Sequence, residues 1–124
     1  MSIEPIFSKL QTYPKGWGDE LWIANNEKYC GKILRFNKGA SFSMHYHVKK
    51  EETWVVVRGA LKLEYFNLEK AERLERELRE GDTVHLVPCV PHKLTALEDS
   101  TVFEVSTQHF EDDSYRVEKG CSQG

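Results

Sequence analysis

Cysteine is scarce in this 124-residue chain. Cys30, Cys89 and Cys121 are an odd, widely spaced set, and no CxxC pair occurs. That excludes a disulfide framework and argues against a zinc–thiolate site, leaving free thiols in a reducing compartment. No apolar run approaches the roughly 20 residues of a membrane span. The opening MSIEPIFSKLQTYPKG also lacks the basic start and long apolar core of a secretory signal. A soluble, cytoplasmic protein with no membrane partner is therefore expected. Nor is there an excess of positive charge: 17 Lys and Arg stand against 20 Asp and Glu, a net charge of -3. Nucleic acid is not the partner such a balance suggests, so small molecules or proteins are expected instead. With 124 residues, 40% of them hydrophobic, the chain is expected to build a single core.

What the chain has in quantity is short strand-like segments. ELWIAN, YCGKILRF, ASFSMHYH, ETWVVVR, ALKLEYF, DTVHLV, HKLTAL and TVFEVS follow one another, separated by turn signals such as NKG, RG, REGD and PCVP. Strands at this spacing predict an all-β sandwich or barrel. The charged segment NLEKAERLERELREGD, residues 67–82, reads as a hairpin excursion or a short exposed helix. An N-terminal arm over residues 1–14 and a loose tail over 118–124 flank the expected domain at 15–117. In ETWVVVR, Glu52, Trp54, Val56 and Arg58 share one face, and Thr53, Val55 and Val57 share the other. Apolar residues thus fall on both faces. A strand wanting cover on both sides fits a barrel whose outer wall meets a second sheet or another subunit, so a homodimer is expected.

The chemistry concentrates in few residues. Of five histidines, His45 and His47 lie two apart in SMHYH, so on a strand both imidazoles project from the same face. After the connection VKK, Glu51 or Glu52 can return a carboxylate to that place, and PCVPHKL supplies His92 at the start of a distant strand. Three neutral imidazoles and one carboxylate suit a divalent first-row metal such as Zn, Mn, Fe, Ni or Co, with positions left for water or substrate.

The run Gly39, His45, Tyr46, His47, Glu52, Gly59 resembles the first motif of the cupin superfamily. Gly81, Asp82, Pro88 and His92 resemble the second. Cys89 stands where that pattern usually has glycine, and Ala96 where it often has asparagine. The resemblance implies a double-stranded β-barrel of jelly-roll type, with metal held by His45, His47, Glu52 and His92. Glu52 is preferred to Glu51 for its spacing to Gly59.

Within that superfamily, the chain from about Lys15 to Val117 is similar to the cupin domain of type II mannose-6-phosphate isomerases. The residues carrying this likeness are Trp17 and Gly18, Glu104 and Val105, Asp112 and Asp113, and Arg116. Two departures stand out: Ser43 occupies a usual glutamine position, and the loop VKKE is longer than in that family. The likeness implies an isomerase of a small sugar or sugar phosphate, working through a metal-bound enediolate. Glu104 is then the candidate base, although strand alternation alone equally allows it to face solvent. Ser43, Trp54 and Arg116 are the candidate substrate contacts, with a surface salt bridge as the competing role for Arg116. His85 reads as a surface or hydrogen-bonded histidine, Tyr46 as a packing residue, and Trp17 and Trp22 as core or dimer contacts. Two other functions remain open on these residues: an iron-dependent dioxygenase, and a non-catalytic module binding metal or carbohydrate.

Overall fold

A computed structural model describes residues 3–123. Among these the strands are β1 (Gln11–Lys15), β2 (Gly18–Asn25), β3 (Cys30–Phe36), β4 (Met44–Tyr46), β5 (Glu52–Arg58), β6 (Ala60–Asn67), β7 (Glu72–Arg79), β8 (Thr83–Leu86), β9 (His92–Ala96), β10 (Ser100–Ser106) and β11 (Tyr115–Glu118). A single 3-10 turn, Cys121–Gln123, follows. They form two sheets, one ordered β1-β2-β3-β10-β5-β8 and the other β11-β4-β9-β6-β7, and the ladders are antiparallel. This is the all-β architecture that the strand pattern predicted, in the jelly-roll form that the cupin resemblance implied. No helix among the described residues is long and apolar enough to cross a membrane.

The segment at 67–82 resolves as the hairpin rather than the helix. β7 pairs with β6 from Asn67↔Glu72 to Ala60↔Arg79, and of β7 only Leu78 is buried. Its helix-forming composition is overridden by eight positions of cross-strand pairing. β11 pairs with β4 through Tyr115↔Tyr46 and Arg116↔His45. Beyond it, Cys121 N–H donates to the Ser41 carbonyl at 2.8 Å, and Gly16 N–H donates to Ser122 Oγ at 3.0 Å. In the arm, strand β1 begins at Gln11, inside the 1–14 segment, and pairs with β2.

Period-two alternation places the site. The inward residues of β3, β10 and β5 lie in cross-strand rows. Leu34, Val102 and Val56 form one row, Lys32, Glu104 and Trp54 the next, and Cys30, Ser106 and Glu52 a third. Moving along the sheet, the buried face therefore changes from apolar to ionisable within two rows. At the apolar end, Trp17 stacks on Phe36 with centroids 4.5 Å apart, and Phe42 bridges Trp17 and Trp54 at 6.1 and 6.2 Å. Gly59 makes the tight β5–β6 turn with φ 96. A Cβ there would lie 2.2 Å from Ser100 Oγ, so both the conformation and the space demand glycine.

Candidate metal centre

His45 lies in β4 directly opposite His92 in β9, and His47 follows the end of β4 by one residue. The imidazole centroids are 4.6 Å apart for His45 and His92, 5.0 Å for His45 and His47, and 5.7 Å for His47 and His92. One nitrogen from each lies within 4.8 Å of the others, so the three could hold a metal ion.

The outer nitrogens decide the tautomers. His45 Nδ1 lies 2.6 Å from the Ser43 carbonyl, His47 Nδ1 2.7 Å from the Asp113 carbonyl, and His92 Nδ1 2.9 Å from the Val90 carbonyl. A carbonyl only accepts, so each Nδ1 carries the proton and donates it, and each Nε2 is left with a lone pair. His92 Nε2 is a buried nitrogen without a hydrogen-bond partner. An orphaned acceptor among three lone pairs of this kind fits a divalent cation, which would supply the missing partner.

Burial, partly countered by the Ser43 carbonyl, lowers His45 to about 4. Burial, then the charges of His45 and His47, sends His92 well below the ordinary imidazole value. His47 is lowered by burial and then by Lys50. All three rings are thus neutral near pH 7, the form that ligates metal.

Glu52 stands at the edge of this group. Its Oε2 is 3.5 Å from His47 Nε2, and its Oε1 accepts from the Trp54 indole N–H at 2.6 Å. Trp54, a candidate substrate contact, is 1% exposed and orients this carboxylate. Glu51 lies apart on the surface, 2.5 Å from the exposed His85, which makes His85 a hydrogen-bonded surface histidine. Tyr46 stacks on Tyr115 on the outside, with centroids 5.3 Å apart.

Glu104 points inward and is buried. Its Oε2 accepts from Lys50 Nζ at 2.9 Å and from Ser106 Oγ at 3.3 Å, and the same Nζ lies 3.8 Å from Glu52 Oε2. Burial acts to raise Glu104, but the Lys50 and Lys32 ammonium groups outweigh it and keep Glu104 ionised. Glu52, raised by burial and then by the Glu104 charge, holds its proton more tightly.

Lys50 lies in the loop between β4 and β5, where local sequence gives no signal of a buried cation. That loop is held by Asp113, whose carboxylate accepts from the backbone N–H groups of Val48, Lys49 and Lys50 at 2.9 to 3.2 Å. The only sequence signal for this was the acidic pair Asp112–Asp113. A second lysine, Lys32, sits 3.4 Å from Glu20 and 4.2 Å over the Trp22 ring. His109, lowered to about 3 by burial and then by Lys32, faces Trp22 edge-on at 5.3 Å.

These groups open on a cavity of about 280 Å³, also lined by Ser43, Arg116, Lys15, Trp22 and Glu111. Trp22, expected in the core or at a dimer contact, is a cavity wall. Trp17 is in the core as well as at the cavity floor. Cys89 keeps φ 75 in the turn before His92, and its N–H donates to the His47 carbonyl at 2.6 Å. A left-handed conformation at this non-glycine residue costs on the order of 1 kcal/mol, at the position where the cupin pattern has glycine.

The four neutral buried imidazoles set the acid response of the metal-free chain. Each has a folded-state value below the unfolded one, so the unfolded state binds more protons between about pH 4 and 6.5 and stability falls as pH falls through that window. Glu52, raised, has the opposite sign and offsets one of them. Urea unfolding of metal-free protein is expected to lose several kcal/mol between about pH 7 and pH 5, at about 1.4 kcal/mol per pH unit for each net group. A flat profile over that range would contradict the burial of these rings.

Among solved structures, a CapF crystal structure with the inhibitor 3-isopropenyl-tropolone matches with a TM-score of 0.77 at 17% identity, covering 89% of this chain and 34% of that one. The capsular polysaccharide assembling protein CapF from Staphylococcus aureus matches with 0.78 at 16%, covering 90% and 32%. Bacillus subtilis oxalate decarboxylase, in a structure concerned with its Mn(II) centres, matches with 0.77 at 20%, covering 90% and 31%. The chain spans about a third of each, and at these identities the likeness concerns the fold. None of the three is described as a mannose-6-phosphate isomerase, so that branch is not singled out. No curated protein matches. The family model described as the cupin domain matches residues 32–108, and with the two sheets and the histidine cluster in place, the chain belongs to the cupin family.

Proposed function

We propose that this cupin is a metal-dependent isomerase-type enzyme for a small sugar or sugar phosphate. The observation that carries the reading is the buried Glu104–Lys50 pair on the wall of the cavity that the three imidazoles face. His45, His47 and His92, with Glu52 as fourth ligand, would hold a divalent ion, which when bound supplies Lewis acidity toward adjacent substrate oxygens.

The chain's own groups handle the proton. Glu104, kept ionised, accepts a proton from the carbon beside a carbonyl and returns it to the neighbouring carbon. The low proton affinity that Lys50 imposes at rest is relieved when Lys50 turns toward substrate oxygen, where negative charge develops. Arg116 and Lys15 give the cavity cationic walls suited to an anionic end of the substrate, and Ser43 offers a hydroxyl beside His45.

The test joins metal analysis of protein purified without added metal to a screen of sugar phosphates for aldose–ketose conversion. The expected outcome is conversion with bound zinc, manganese, cobalt or nickel. Glu104→Gln should then lower kcat by about 10²–10⁴-fold while metal content is unchanged. Predominant iron with oxygen consumption would overturn the proposal in favour of an oxidative cupin, and metal binding without turnover would favour a binding module.

A further inference from the structure

The connection from β4 to β5 carries two adjacent lysines with opposite surroundings. Lys50 is buried and reaches 2.9 Å from Glu104 and 3.8 Å from Glu52, whereas Lys49 is exposed and rests its ammonium 4.8 Å over the Phe110 ring. The two side chains are identical, so composition does not choose between them. A shift of the loop by one residue would exchange them.

The choice is made by hydrogen bonds to a distant segment. Four consecutive backbone N–H groups, those of Val48, Lys49, Lys50 and Glu51, lie outside the strands and need other acceptors. Two side chains supply them. Asp113 Oδ1 accepts from Val48 and Lys49 at 2.9 and 3.0 Å, and its Oδ2 accepts from Lys49 and Lys50 at 3.2 and 3.0 Å. Thr107 Oγ1 accepts from Glu51 at 3.0 Å. The segment carrying both acceptors is anchored in turn, because the Asn25 amide accepts from His109 N–H at 2.8 Å and donates to the His109 carbonyl at 3.0 Å. Asp113 itself is 2% exposed, and its carbonyl accepts from His47 Nδ1 at 2.7 Å. One residue thus grips both a metal-ligand candidate and the loop that delivers Lys50.

We propose that Asp113 is a positioning residue of the metal centre, aiming His47 at the ion and selecting Lys50 rather than Lys49 as the cation beside Glu104. The proposal rests on the reading of His45, His47 and His92 as metal ligands. It extends that reading to a residue that would touch neither ion nor substrate. Both carboxylate oxygens are in use, so asparagine is not an equivalent replacement: its one oxygen cannot serve all three N–H groups, and its NH₂ would face a donor.

The test compares the unaltered chain with Asp113→Asn and with Asp112→Asn, an exposed neighbour, after far-UV circular dichroism has checked the fold of each. Zn²⁺ affinity is measured by chelator competition, and the visible spectrum is recorded at saturating Co²⁺. Asp113→Asn is expected to weaken Zn²⁺ by about 10–100-fold, the usual cost of losing an outer partner of a ligand, and to alter the Co²⁺ bands, which follow ligand geometry. Asp112→Asn should match the unaltered chain in both. A lower urea midpoint with an unchanged Co²⁺ spectrum would make the role merely structural and overturn the proposal. An unaltered chain that binds neither ion overturns the metal reading and the proposal with it, whereas Zn²⁺ held equally by the unaltered chain and Asp113→Asn overturns the proposal alone. The selection of Lys50 is tested without metal, by urea unfolding of Asp113→Asn, Lys50→Met and the double variant. If Asp113 acts through Lys50, the double variant unfolds near the midpoint of the weaker single one. Losses that simply add would overturn that part.

Discussion

Replacing His92 by alanine is expected to lower divalent-metal affinity by more than about 100-fold. Loss of an outer hydrogen-bond partner of a ligand alone costs about 10–100-fold, and here the ligand itself is removed. His92 is the most telling of the three imidazoles because its Nε2 is buried without a partner and its Nδ1 is committed to the Val90 carbonyl. The remaining pair, His45 and His47, would bind only as a two-nitrogen fragment.

The same ring packs edge-on to Trp54 at 5.4 Å and Phe42 at 6.1 Å. The variant is therefore also expected to lose stability from the space left in the core. Titration calorimetry with Zn²⁺ or Mn²⁺, run beside circular dichroism, separates the two effects. His85→Ala on the exposed outer face is the matched control and should leave metal affinity unchanged. Full metal occupancy in folded His92→Ala would show that the ligand set is misassigned. Glu52→Gln, tested in the same way, decides whether the carboxylate 3.5 Å from His47 Nε2 is the fourth ligand.

Lys50→Met is expected to destabilise the metal-free chain by about 3–5 kcal/mol, the usual cost of removing one member of a buried ion pair. Lys50 is 4% exposed and lies between two buried carboxylates, at 2.9 Å from Glu104 and 3.8 Å from Glu52. Without the ammonium, Glu104 is left charged and unpaired beside Glu52, so it must take up a proton or bear the desolvation cost. Adding Glu104→Gln should restore a large part of the loss, because the second change removes the stranded charge. Bound divalent metal should also narrow the deficit by bringing positive charge to the same carboxylates. Urea midpoints of the single and double variants measure the coupling. A loss below about 1 kcal/mol would place the pair among the weak, solvent-screened contacts instead.

Much of this architecture was legible before any coordinates. β2, β3, β4, β5, β6, β8, β9 and β10 follow the segments marked by alternation and turn signals, because both are local properties of the chain. The elements left ambiguous or unmarked lack those signals. β7 buries only Leu78 and is otherwise charged. β1 is an exposed edge strand containing Pro14, and β11, three of whose four residues are exposed, is set by its partner β4 rather than by its own composition.

At the site, the shared face of His45 and His47 follows from strand geometry. Singling out His92 and Glu52 drew on motif resemblance as well as residue type. Glu104 illustrates the limit of local reading. Alternation allows either face, and the burial of its neighbours Val102 and Lys32 in the paired rows decides for the inside.

By itself, then, the sequence determined the repertoire: an all-β chain, two imidazoles on one face, and a sheet apolar on both sides. Tertiary structure decided which of these groups meet. Lys50 reaches Glu104 across 54 positions, and Asp113 fixes the His47 ring across 66. These contacts exist because β10 lies between β3 and β5, and because β11 returns to the edge of β4. Period-two alternation orients a side chain relative to its own strand. It says nothing about which strand lies alongside, and that neighbour determines whether a buried charge finds its counter-charge and whether three imidazoles converge.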